Sequence, residues 1–564
     1  MVLRLERPPS EGVLPVDARR AFAVVALIGV MGALAALVVL RASPFPPGGL
    51  AGDQGFRVAA VARDATHWFP VDFAYRGLPG YYPPLYFAVL GRLTALTGMP
   101  AYEAVKFGGI AVACLVPFVG FALWRHLTRD VTLALAVVIA TLAFHDWYEP
   151  YAWLAAIAFV PWWFAFVVRP RAAPRLAASL LDRRVVVGSL VGAAIVLTYY
   201  YSFFIGVTHL IVVVVASRLW PRRWRLTVDR ESVAVLAGSA VLSSPYWAPI
   251  VVRAIVAGGL DSLQNRYFER WMIDLPHPFL GLSIEALVML AGLVALVALT
   301  ARGDTLAAGL LSLVGAAYLW FVFGYVAVLA DTPVLAYRSV AVIQVVLCAG
   351  AGLGAVHLVR AGPLRPPLAV ALGAVVAFVM VTTAAAGIPY VAEQRAARAP
   401  VAIEHQYDTA VAGHAPPGVV LTSASELLAV RPVALFNVWN AHYANPFAQF
   451  ADRSAFLARL ASERDAGVVA AALRHNRYDR VGVVVLARAG NALTYTEYED
   501  AFPRGTRERV LHFRAGQFAA PWFRATDGTR HLVLVATRAD PLPTLDGAQL
   551  AELRHHFAGD LASS

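Results

Sequence analysis

The chain has 564 residues, of which 59% are hydrophobic and 15% charged, and its mean hydropathy is +0.62. Soluble domains sit at about 45–50% apolar and about 25% charged, so this composition excludes an ordinary soluble enzyme. The net charge of +11 comes almost wholly from arginine, Lys106 being the single lysine, and Cys114 and Cys348 lie in apolar runs that support neither a disulfide framework nor a cysteine-based metal site.

A helix that crosses about 30 Å of hydrocarbon at about 1.5 Å per residue needs roughly 20 apolar residues. Runs of that kind occur at 21–40, 107–124, 131–145, 151–168, 185–199, 201–217, 233–252, 279–299, 305–329, 337–359 and 366–388. The expectation is a polytopic α-helical membrane protein with about eleven spans, thirteen at most. The first run is too long for the core of a cleavable signal and no small-x-small site follows it, so it reads as a retained anchor. The stretches 131–168 and 185–217 read as hairpins, turning at His145–Pro150 and near Tyr199–Tyr201. Residues 41–106 form a long aromatic-rich loop, in which Tyr81-Tyr82-Pro83-Pro84 leads into a short amphipathic stretch ending near Thr97. A polar loop follows at 253–278. From 389 the pattern changes: strand-like runs (Val481 to Leu486, His531 to Thr537) alternate with helix-like ones (Ser454 to Asn476). The expected domains are therefore a membrane-spanning unit, 1–388, and a soluble α/β tail, 389–564.

Cytoplasmic loops retain arginine. With the N-terminus inside, the inside loops hold nineteen arginines against eight acidic residues, while the outside loops and the tail are each nearly balanced. The basic excess is thus topological, which argues against a nucleic-acid partner despite a pI near 9.8. An odd number of spans places the tail outside, on a multi-pass plasma-membrane protein.

Candidate chemistry gathers in the outside loops, because irregular backbone at membrane depth survives only around a cavity. Gly52-Asp53-Gln54-Gly55-Phe56-Arg57 offers a carboxylate able to take a proton from a hydroxyl; a loop aspartate in a glycine turn fits the same residues. His145, Asp146 and Glu149 could hold a divalent cation or a polar substrate head, or simply cap two helix ends. Arg266 and Arg270 are four apart, so one helix would present both guanidiniums to a phosphate; pairing with Glu269, Asp261 or lipid headgroups is the bland alternative. Arg338 opens a span from the outside, where the arginine bias disfavours it. Within spans only Glu285 and His209 carry polar charge chemistry, with Lys106 at an outer entrance, and this is sparse for an ion-coupled transporter. The tail aromatics Trp439, His442, Tyr443, Trp522 and Phe523 suit sugar stacking or a domain core.

The layout resembles GT-C glycosyltransferases. Within that class the segments Gly52–Arg57, Tyr81–Tyr86, Asp261–Arg266 and Asn437–Pro446 resemble the actinobacterial galactan 5-O-arabinofuranosyltransferase family. The resemblance implies a GT-C fold and inverting transfer of arabinofuranose from decaprenyl-phosphoryl arabinofuranose to lipid-linked galactan, priming arabinan synthesis. It implies Asp53 as catalytic base, with Arg266, Arg270, Arg338 and Lys106 as donor-phosphate ligands. Gln54, Arg57, Tyr81, Tyr82, His145, Asp146, Glu149 and Asn265 complete the substrate-binding set. Gln54 stands where many GT-C enzymes carry a second acid, so no cofactor is expected, although a divalent cation stays open. The alternatives are a mannosyl- or glucosyltransferase using another polyprenyl-phosphate sugar, a lipid-linked glycan transporter or flippase, and a non-catalytic scaffold. Nothing in the sequence sets the oligomeric state.

Overall fold

A computed structural model describes residues 17–41, 43–50, 52–170, 182–219, 226–260, 262–362, 399–412, 418–536 and 545–562, with isolated positions between 363 and 398. Ten of the eleven apolar runs are helices: α1 (Ala18–Leu40), α4 (Ala101–Thr128), α5 (Val131–Thr141), α6 (Pro150–Trp162), α7 (Arg183–Tyr199), α8 (Tyr201–Leu219), α9 (Arg230–Ala257), α10 (Ile284–Ala301), α11 (Thr305–Leu329) and α12 (Val340–Arg360). Of the eleventh, 366–388, only isolated positions are described, and the expected domain boundary at 388 falls outside the described residues. Among the described residues eight helices are long and apolar enough to cross a membrane, and the chain is a multi-pass membrane protein.

Short polar side chains start these helices where the sequence places acids or serines beside apolar runs. Asp130, Asp182, Asp229, Ser283 and Asp304 each accept a backbone N–H of the first turn of α5, α7, α9, α10 and α11, satisfying donors that a helix start leaves open. The α6 helix is apolar all round and is buried over almost its whole length, as a central bundle helix must be. The charge inside α10 needs correction. Glu285 is the second residue of that helix, in its first turn rather than two turns deep, because the helix starts at the Ser283 cap and not at 279. His209 is buried, accepting from Trp163 Nε1 at 2.9 Å and lying 2.8 Å from Ser312 Oγ, so it joins three bundle elements.

The run at 131–145 also ends early, at Thr141. Asp146 Oδ1 accepts the N–H groups of Tyr148 (3.0 Å) and Glu149 (2.8 Å), which turns the chain out of the helix and into α6. Two further helices lie in the first loop: α2 (Asp53–Thr66) and α3 (Leu85–Thr97). The α3 helix matches the expected stretch after Pro84, whereas α2 occupies a segment read as loop.

Two short strands, β1 (Arg169–Pro170) and β2 (Leu226–Thr227), pair antiparallel in the membrane unit, and the tail carries a six-stranded sheet of β3 (Val419–Thr422), β4 (Val481–Ala489), β5 (Ala492–Asp500), β6 (Thr506–Phe513), β7 (Phe523–Asp527) and β8 (His531–Ala536). Its order is β6-β5-β4-β8-β7, with β3 running parallel to β4. The helix-like stretch 454–476 divides into helices Phe450–Ser462 and Ala466–His475, because Asp465 caps the second at the N–H groups of Gly467 and Val468. One apolar cluster fills the tail, and another joins it to the first loop, where Phe56, Phe73 and Tyr75 pack with Leu427, Val438 and Trp439. Tyr75 donates to Asn437 Oδ1 at 2.7 Å, and Asn445 donates to Asp72 Oδ2 at 2.9 Å. The first loop is thereby held against the tail.

Candidate active site

Gly52 has φ of 55° and ψ of −129°, a backbone conformation that only glycine adopts without strain. It turns the chain so that Asp53 is the first residue of α2. A Cβ on Gly55 would sit 2.6 Å from Leu50 O, so the second glycine of the motif lets the incoming loop fold back on the helix. Asp53 and Arg57 then lie one turn apart on one face, 3.4 Å from Nη2 to Oδ2.

Arg57 is buried and fully engaged. It donates to Glu149 Oε1 at 2.6 Å, to Tyr148 O at 2.8 Å and to Tyr151 OH at 3.1 Å, with the Tyr148 ring 4.5 Å below its guanidinium. Glu149 stands just before the first turn of α6 without capping it, and its second oxygen accepts from Arg338 Nη1. One carboxylate, only 7% exposed, therefore bridges two guanidiniums brought from 92 residues upstream and 189 residues downstream. Burial alone would push the Glu149 carboxyl up, but the flanking Arg338 and Arg57 outweigh it and hold the group below its ordinary range. Arg338 is ringed by Tyr337, Tyr201 and Tyr199, its guanidinium 4.9, 5.8 and 6.0 Å from their ring centres. Its Nε is buried with no hydrogen-bond partner, which leaves one donor edge for a ligand.

Asp53 differs from Glu149 in being 35% exposed. Its Oδ1 accepts from Tyr443 OH at 2.7 Å, and Tyr443 belongs to the tail segment that also stacks on Phe56, ring centres 6.0 Å apart. The tail thus reaches into the centre built by the first loop. Sequence reading had weighed Tyr443 only as a sugar platform or core aromatic, and nothing short of the fold signals its bond to Asp53.

The remaining expected residues divide into supports and outliers. Gln54 donates to Pro47 O at 2.7 Å and Tyr148 O at 3.2 Å, binding two loops together. Tyr82 packs on Phe56 with ring centres 4.4 Å apart, and Tyr81 OH lies 3.1 Å from Ser262 Oγ. Asp146 Oδ1 is engaged in the turn into α6, as described above. His145 is half-buried, its Nδ1 without a partner, and burial lowers its pKa. Lys106 donates to Ser43 O at 2.6 Å and so anchors the start of the first loop rather than joining the arginines. Arg266 and Arg270 lie in separate short 3-10 helices, Leu263–Arg266 and Arg270–Ile273, which corrects their expected placement on one helical face. Arg266 pairs with Asp500 of β5 at 2.7 Å, while Arg270 is exposed. The side chain of Asn265 and all of Asp261 fall outside the described residues.

The centre that results contains two arginines, two carboxylates and a rim of tyrosines, set where five loops converge. It sets a partly exposed carboxylate, Asp53, beside a buried guanidinium with one unpartnered N–H, an arrangement able to take a proton from a hydroxyl and to stabilise an anion. A family model described as "Arabinofuranosyltransferase N terminal" matches residues 14–399, and one described as "Arabinofuranosyltransferase A C terminal" matches 385–536. The chain belongs to the arabinofuranosyltransferase family. The chain is similar to the galactan 5-O-arabinofuranosyltransferase of Mycobacterium leprae, at 27% identity over 85% of this chain and 82% of the relative. The enzyme of the same name from Mycolicibacterium smegmatis is 28% identical over 88% and 84%. The solved structure of arabinofuranosyltransferase AftD from Mycobacteria aligns at 14% identity over 94% of this chain and 41% of that one, with a TM-score of 0.44. The family match and the eight apolar helices make this arabinofuranosyltransferase a membrane glycosyltransferase, and its reacting centre is to be sought where Asp53, Arg57, Glu149 and Arg338 meet.

Proposed function

We propose that the enzyme transfers arabinofuranose from decaprenyl-phosphoryl arabinofuranose to a galactan hydroxyl with inversion, priming arabinan synthesis, at a site on the extracytoplasmic face. The observation that carries the mechanism is the contrast between two carboxylates. Glu149 is locked between guanidiniums, while Asp53 is partly open beside them. In this reading the acceptor oxygen attacks the anomeric carbon opposite the phosphate and Asp53 takes its proton. The carbon–oxygen bond to phosphate breaks, and polyprenyl phosphate leaves with one more negative charge. Arg338, through its unpartnered Nε edge, stabilises that charge, with Arg57 behind it setting the local potential. Glu149 keeps both guanidiniums aimed, so phosphate binds without having to dislodge it.

In this reading cationic side chains supply the charge that a metal would otherwise supply, and Gln54, whose amide is spent on two carbonyls, holds the place of a second acid. The two relatives named above are the ground for galactan as acceptor, and the arginine distribution is the ground for sidedness.

The test is transfer of label from decaprenyl-phosphoryl arabinose to a galactan acceptor by membranes holding wild type or Asp53→Asn. Loss of a positioned general base lowers rate by about 10²–10⁴-fold, with insertion and donor binding retained. Equal transfer by both removes Asp53 from the role. Transfer by neither directs attention to another sugar donor.

A further inference from the structure

The tail holds a cluster that the transfer reaction does not use. Glu463 sits between helices Phe450–Ser462 and Ala466–His475, and Glu552 and His556 lie one turn apart on the last helix, Gly547–Phe557. One donor atom from each lies within 4.8 Å of the other two. Two glutamates and a histidine on a surface need not bind anything. The second observation is the state of Glu463. It is only 4% exposed, and its Oε1 accepts the N–H groups of Arg464 at 2.6 Å and Asp465 at 3.0 Å, which fix the carboxylate. Its Oε2 is buried and has no hydrogen-bond partner. A buried, unpartnered carboxylate oxygen is costly, and more so beside a second carboxylate. Of the cations flanking it in the chain, Arg459 pairs with Asp560 and Arg464 is exposed. Asp465 adds a further negative charge that serves as a helix cap and accepts from Gln549 at 3.0 Å.

We propose that Glu463, Glu552 and His556 form a binding site for a divalent transition-metal ion of the zinc class, which clamps the last helix to the connection between the two preceding ones. Two carboxylate oxygens and an imidazole nitrogen are the donors that zinc accepts in three-ligand sites, with water in the fourth position. The nitrogen donor and the small ligand number disfavour calcium, which takes six to eight oxygens. Bonds of about 2.0–2.2 Å set tetrahedral ligands about 3.4 Å apart, and the exposed Glu552 and His556 can reach that spacing by a change of rotamer, while the fixed Glu463 serves as the anchor. This site is independent of the proposed transfer reaction.

The test uses full-length, untagged protein in detergent, stripped with chelator and titrated with Zn²⁺ by calorimetry, with Ca²⁺ in parallel. The expected result is one Zn²⁺ per chain and a rise in melting temperature on binding. Glu552→Gln and His556→Ala should each weaken binding by about tenfold or more, abolish the melting shift and leave the unliganded fold intact, since both side chains are exposed. His555→Ala, at the adjacent exposed histidine, should bind as wild type does. No Zn²⁺ uptake by wild type overturns the proposal, and so does uptake that Glu552→Gln and His556→Ala leave unchanged. Equal binding of Ca²⁺ overturns the metal class.

Discussion

Glu149 shows what a single buried side chain has to balance at this centre. Its carboxylate is desolvated, so its stability comes from being paired, and removing the charge leaves Arg338 buried without its carboxylate partner and Arg57 with only the 3.4 Å contact to Asp53. Breaking such a pair from one side costs about 3–5 kcal/mol. Glu149→Gln is therefore expected to lower the melting temperature and to lose transfer, measured together on purified protein. The pH dependence has a defined sign. The folded-state pKa is depressed, so the stabilisation is complete above the unfolded value of about 4.5 and is lost as pH falls through the lower folded value; in Glu149→Gln that acid-side loss disappears. Asp64 on α2 behaves in the opposite sense. Burial raises it to about 7, against the opposing pull of Arg92 and Arg63, so folding favours its neutral form. Its contribution is intact below about 3.8 and decays as pH rises to about 7. Asp64→Asn should then raise the melting temperature at pH 8 and change it little at pH 4; equal shifts at both would refute the burial account. Tyr443 acts through Asp53. Hydrogen bonds to charged groups are worth about 1.5–3 kcal/mol, so Tyr443→Phe should reduce turnover about ten- to a hundredfold with donor affinity unchanged. A donor-affinity loss of the same size would place Tyr443 at the substrate instead.

Elements that span the membrane were legible because their signal is length and uniformity, and ten apolar runs became helices with boundaries displaced mainly where a capping acid or serine intervened. The α2 helix was missed for a related reason. Its fourteen residues interleave Asp53, Arg57, Arg63 and Asp64 with apolar positions, and a criterion set by bilayer thickness passes over a helix that lies outside the bilayer. The Arg266–Arg270 spacing misled in the other direction, since i,i+4 proximity holds only within one continuous helix; extended backbone at Tyr267 and Glu269 separates the two turns. Asp53, Arg57, Glu149 and Arg338 were each singled out from sequence, but not their pairing, because residues so far apart along the chain meet only through the bundle. Nor could sequence reveal that Arg266 serves the seam with the tail. That pair is 38% and 15% exposed, so solvent screening limits it to about 1 kcal/mol or less. Its use is orientation of the 262–273 segment rather than stability.

At the scale of the whole molecule the charges separate by end. The candidate centre, the tail and the 262–273 segment gather at one end of the bundle. At the other, Arg169 and Arg184 pair with Glu231, Arg360 pairs with Asp130, and Arg302 lies 2.7 Å from His357. Arg169, Arg184, Arg302 and Arg360, four of the arginines counted as cytoplasmic from sequence, thus lie at the end away from the centre. If arginine retention sets orientation, the centre faces outward. Single cysteines at Arg270 and Arg302, in a chain with Cys114 and Cys348 replaced by serine, test this directly. A membrane-impermeant maleimide applied to whole cells should label the cysteine at position 270 and leave that at 302 unlabelled until the membrane is opened. The reverse pattern would put the tail and the candidate centre inside. Arabinofuranose transfer would then have to precede export of the acceptor, and the arginine bias would have to be overridden across all of its loops at once.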